Sequence, residues 1–95
     1  MPEGPEINVH PNEDGSFTVE VSAGGAKTAH TVTIPAGLAD GLGWTESDPV
    51  DLVRASFVFL LEREPATSIL RRFRLDQIAG YFPEYPVEMA RRRST

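Results

Sequence analysis

A chain of 95 residues has room for one domain and one core, burying roughly two thirds of the surface it would expose unfolded. Its 40% hydrophobic and 24% charged residues are ordinary globular proportions, which exclude a disordered or fibrous class. The absence of cysteine removes disulfides, thiolate nucleophiles and Cys-ligated zinc or iron–sulfur centres, and suits a reducing cytoplasm. The formal charge of −5 is unevenly spread: residues 1–53 hold nine acids against Lys27 alone, whereas eight arginines face five acids from Arg54 onward. The chain is also rich in Ala, Gly and Pro, the profile of a bacterial genome with high GC content. The longest uninterrupted apolar run, Phe57–Leu61, falls far short of the roughly 20 residues of a membrane span. The opening MPEGPE lacks the basic start and apolar stretch of a secretory signal, so no membrane association is expected.

The first third alternates. Ile7 and Val9, then Phe17, Val19 and Val21, then His30, Val32 and Ile34 recur with period two, predicting strands buried on one face. HPNEDGS and SAGGAKT between them carry the Gly, Asn, Asp and Pro of tight turns. Together these spell an antiparallel meander whose outer face (Ser16, Thr18, Glu20, Ser22, Thr31, Thr33) meets water.

IPAGLADGLG predicts a short helix with Pro35 at its start, Leu38 and Leu42 four apart, and Gly43 as the stop. SDPVDLVRASFVFLLERE predicts the central helix, with Asp48 as N-cap, Pro49 at the first helical position and Asp51 in the first turn. SFVFLL taken alone also has strand propensity. Pro65 ends that helix and opens another over residues 65–73, whose apolar face is Ile69, Leu70 and Phe73. A bend near Arg74 separates it from a second stripe, Leu75, Ile78, Ala79 and Phe82, and Pro86 opens a last short helix. The expected class is therefore α+β, a three-stranded N-terminal antiparallel meander with three or four helices packed on one face. Residues 6–92 form the single domain, residues 1–5 a flexible N-terminus and residues 93–95 a frayed basic C-terminus.

VTIPAGLADGLGW resembles the strand–Ile-Pro–short-helix–Leu-Gly segment of AbrB-type swapped-hairpin DNA-binding domains, with Val32, Thr33, Ile34, Pro35, Leu38, Leu42 and Gly43 in the matching places. In that family a Gly-Asp turn and a further strand follow. Here TESDPVDLVRASFVFLL starts like a helix, and the preceding strands are acidic where a DNA-facing strand is basic. The likeness is read as shared local grammar. LVRASFVFLLEREPATSIL and YFPEY resemble small bacterial proteins with no assigned activity, and imply none.

No motif predicts catalysis. SAGGAKT has Ala26 where a phosphate loop needs Gly before its Lys, and a strand follows where that loop needs a helix. His10, Glu13 and Asp14 match no metal-ligand spacing. Ser56 and Ser68 fall in predicted helices, remote in sequence from both histidines and outside any nucleophile elbow. No catalytic, cofactor-binding or metal-binding residue is assigned, and the expected role is non-catalytic.

The arginines raise the remaining question. At helical spacing Arg71, Arg72 and Arg74 point away from Ile69, Leu70 and Phe73, either paired with acids or joined with Arg91, Arg92 and Arg93 in one basic surface beside Tyr81 and Tyr85. Those eight residues are the candidate partner-binding set. Trp44 and Phe82 are the other candidates for an interface anchor, with a place in the core as the alternative for each. The expected partner is another protein or a second copy of the chain; the alternative is a nucleic-acid-associated regulator using the arginine surface.

Overall fold

The computed structural model describes residues 5–44 and 48–92. The expectations for residues 1–4, for residues 93–95 and for Arg93 therefore lie outside the described residues. Within them, β1 (Glu6–Pro11), β2 (Phe17–Ala23) and β3 (Ala26–Thr33) form the antiparallel meander that the alternation predicts.

Both turns follow from their glycines. In the first, Gly15 N–H donates to Asn12 O, and Gly15 takes φ 91°, the left-handed position that ends a three-residue hairpin loop. The Asp14 carboxylate braces that loop by accepting from the Ser16 hydroxyl at 2.6 Å and the Ser16 amide at 3.0 Å, and these bonds hold its pKa below the usual carboxylate value. In the second, Gly24 and Gly25 both have positive φ, as a two-residue hairpin turn with a right-handed twist requires.

After β3, Ile34-Pro35 leads into α1 (Leu38–Leu42), which starts at Gly37 rather than at Pro35 and ends on Gly43 in the left-handed conformation. The continuation is a helix, α2 (Pro49–Leu61), so the segment resembling a swapped hairpin is not followed here by that family's strand. Phe57–Leu61 is helical, and its strand propensity is overridden by packing. Asp48 caps α2, its carboxylate accepting the Val50 N–H at 2.8 Å. Replacing Asp48 with Ala should cost about 1 kcal/mol, read as a lower denaturant midpoint at unchanged slope.

The predicted helix over 65–73 is corrected. A 3-10 turn (Ala66–Ser68) is followed by a fourth strand, β4 (Arg72–Arg74), parallel to β3 with Thr31, Val32 and Thr33 beside Arg72, Phe73 and Arg74. The sheet is thus mixed, in the order β1-β2-β3-β4. Non-local pairing decides the conformation. Thr31 N–H donates to Arg71 O at 2.7 Å, and His30 reaches Leu70 O with Nδ1 at 2.7 Å. A carbonyl accepts only, so Nδ1 carries a proton, and Nε2 is hydrogen-bonded to the Thr28 hydroxyl at 2.9 Å. His30 is a buried, fully bonded core residue whose ring is tilted against that of Phe57.

A second 3-10 turn (Leu75–Gln77) runs into α3 (Ile78–Tyr81), and α4 (Tyr85–Arg92) closes the chain. The core lies between the sheet and the helices, with Val19, Val32, Val53, Phe57, Phe59 and Met89 at its centre. Trp44 belongs to it: the ring is buried and its indole N–H donates to Met89 O at 2.8 Å, tying the end of α1 to α4. Among the described residues no helix is long and apolar enough to cross a membrane.

Candidate functional site

The seven candidate residues that are described do not form one surface. Arg72 and Arg74 flank buried Phe73 on β4, so strand alternation turns both guanidinium groups onto the sheet face opposite the helices. Their outward direction holds, for a different reason from the helical one expected. Arg74 Nε lies 3.1 Å from Asp76. Arg71 and Arg72 are exposed and form no ion pair among the described residues, although the Arg72 charge contributes to lowering the Asp14 pKa.

Arg91 and Arg92 serve the fold instead. Arg92 makes a two-pronged bond to Glu62 at 2.6 and 3.1 Å and reaches Glu88 at 3.5 Å, while Arg91 lies 3.2 Å from Glu88. Arg63 binds Glu84 at 2.8 Å and lays its guanidinium 3.7 Å from the centre of the Phe59 ring. This network straps the end of α2 to α4. The Arg92 bonds hold the Glu62 carboxyl below its usual pKa, the Arg63 bond does the same for Glu84, and Glu62 in turn raises Arg92.

Tyr85 is the second correction. It was expected beside Tyr81 on the surface, yet its side chain is 1% exposed. The helix begins at Tyr85 rather than at Pro86, and the ring lies inward, edge-on to Phe59 at 5.2 Å between centroids. Its hydroxyl lies 2.8 Å from Ser56 Oγ, and Ser56 bonds Leu52 O at 2.9 Å. Ser56 has one hydroxyl proton and gives it to that carbonyl, so the Tyr85 hydroxyl is the donor to Ser56.

What stays on the surface is a cleft that sequence reasoning did not anticipate, because it arises where the predicted helix is absent. It has a volume of about 160 Å³. Its floor is Leu60, Ile69, Phe73 and Ile78, and its rim carries Leu70 and Tyr81, which are 46% and 66% exposed. Phe82, half-buried, closes one end and packs edge-on to Phe59. Glu64 opens into the cleft without an ion pair among the described residues, and burial raises its pKa.

The residues with catalytic potential do not converge on it. His10 is exposed on β1, with Nε2 3.4 Å from Glu20, and His30 is locked in the core. Ser68 borders the cleft on a turn that packs against β3 but bonds neither histidine among the described residues, and Ser56 is buried against Tyr85. Among the described residues no group of three or more His, Asp or Glu side chains could hold a metal ion. The cleft offers shape and apolar surface, bordered in sequence by Arg71, a cation without an ion pair among the described residues. No protein-family model, curated protein or solved structure matches the chain.

Proposed function

We propose that the protein is a small non-catalytic interaction domain, an adaptor or regulatory subunit, that seats an apolar side chain of another protein in the cleft between Leu70 and Tyr81. The observation that carries this reading is that two large side chains remain in water on the rim of an apolar cleft while the other aromatic rings pack inward. Tyr and Arg are the residue types that anchor interfaces, and Arg71 adjoins Leu70. With Arg71 and Arg72 in no ion pair among the described residues, the partner segment that fits is an apolar residue flanked by acids.

The test is co-purification from the native host with the wild-type chain, Leu70→Asp and Tyr81→Ala. Both sites are exposed, so folding stability should change by less than about 1 kcal/mol, while recovery of the bound species falls at least roughly tenfold. Equal recovery on all three baits removes the reading. The nucleic-acid alternative is favoured by one feature, the exposure of Arg71, Arg72 and Arg74 along a single segment. Anisotropy with mixed DNA and RNA decides it, since no binding at low salt eliminates a phosphate-gripping surface.

A further inference from the structure

We infer that the free edge of β1 pairs with β1 of a second copy, antiparallel and centred on Asn8, joining two sheets into one. The parity of the ladder leads to this. Asn12 N–H donates to Ser16 O at 2.8 Å, so 12–16 is a hydrogen-bonded pair. Counting back by twos through the unbroken register makes His10–Thr18, Asn8–Glu20 and Glu6–Ser22 the bonded pairs. The second hairpin gives the same phase. Its two-residue turn closes on Ala23–Ala26, which commits Ala23, Val21 and Val19 to β3 and leaves Ser22, Glu20 and Thr18 for β1.

The backbone groups of Ile7 and Val9 therefore point away from β2, and no backbone or side-chain bond among the described residues reaches them. Pro5 and Pro11 stand at the same outward phase and have no N–H, so the edge presents two donors in a window bounded at both ends. That window complements itself. With a two-fold axis at Asn8, Ile7 faces Val9 of the second copy and each pair exchanges both bonds. Sliding one strand by two residues sets a proline opposite Ile7 or Val9 and breaks the exchange.

Side-chain hydrogen bonding suits the same register. Glu6, Asn8 and His10 are exposed on the open sheet face, and centring on Asn8 sets Glu6 opposite His10 of the second copy twice over. The occupant is thus another copy of this chain rather than an unrelated strand.

The chain has no cysteine, so Asn8→Cys is a clean reporter. At the axis the two residues form a non-hydrogen-bonded pair with Cα atoms about 4.5 Å apart, within disulfide reach. Air-oxidised N8C should run as a covalent dimer of twice the 10.4 kDa chain mass, while Thr33→Cys, equally exposed on the same sheet face, should cross-link far more slowly. Light scattering over a range of concentrations should show wild-type dimers. His10→Glu should weaken them about tenfold by opposing Glu6 with a like charge, and E6K combined with H10E should restore them. Circular dichroism separates lost pairing from lost folding. A wild-type chain that stays monomeric at every concentration overturns the inference, as does a dimer that ignores H10E or cross-links T33C as readily as N8C.

Discussion

Replacing Phe59 with Ala should remove about 3–5 kcal/mol of stability, a large share of what a domain of this size possesses. The ring is fully buried on α2 and meets Phe82 and Tyr85 edge-on, at 6.0 and 5.2 Å between centroids. Arg63 covers it from outside, donating to Phe59 O at 3.2 Å while binding Glu84. Truncation therefore opens a cavity beneath a guanidinium that ion pairs to Glu84 and Glu62 hold in place, and the site cannot collapse cheaply. Thermal melting should fall by roughly 15–30 °C, since 1 kcal/mol moves the midpoint of a domain this small by about 4–8 °C. Phe59→Leu, which keeps most of the volume, should lose well under half as much. A loss below about 1 kcal/mol for F59A would mean that α2 and α4 are not coupled through this ring.

The second large effect is alkaline. Burial pushes the Tyr85 phenol up to about 12, whereas an unfolded tyrosine ionises near 10. Below pH 10 both states hold the proton and stability does not change on this account. Between pH 10 and 12 the unfolded chain releases the proton while the folded chain retains it, so the unfolded state gains and stability declines with pH. The full difference is about 3 kcal/mol once the pH passes 12. Denaturant midpoints measured across this window should fall steeply for the wild type and much less for Tyr85→Phe. At neutral pH that variant should lose only about 1 kcal/mol, because Ser56 still gives its proton to Leu52 O and is left with no unpaired donor. Parallel slopes for the two proteins would show that Tyr85 ionises as freely in the fold as outside it.

Local grammar accounts for what the sequence made legible. Strand alternation, two glycine turns and the Asp48-Pro49 start of α2 depend on neighbours within a few residues, and all of them stand in the fold. β4 did not announce itself. Ile69, Leu70 and Phe73 match a helical stripe as well as anything else, and three residues, RFR, are too few to display a period. What makes them a strand is β3, some 40 residues earlier, as the His30–Leu70 bond illustrates. The arginines pose the same difficulty, because a charge string in sequence does not reveal partners 21 and 30 residues away, the separations of Arg63–Glu84 and Arg92–Glu62. The last helix starts at Tyr85, one residue before the expected Pro86, and the ring takes a place in the core instead of solvent. The cleft follows from these errors, since its walls are the segment whose conformation the periodicity misjudged.

The parallel docking of β4 also bears on motion. Three residues bond it to the sheet, against seven or more in each of β2 and β3, and its closure must await a long excursion through α1 and α2. The meander can assemble early from adjacent segments, while the strip from Ile69 to Leu75 arrives late and is the first part of the sheet to breathe. Leu70 rides on that strip, held to the sheet by the bond between its carbonyl and buried His30, so an occupant of the cleft would add its grip to the shortest strand of the protein.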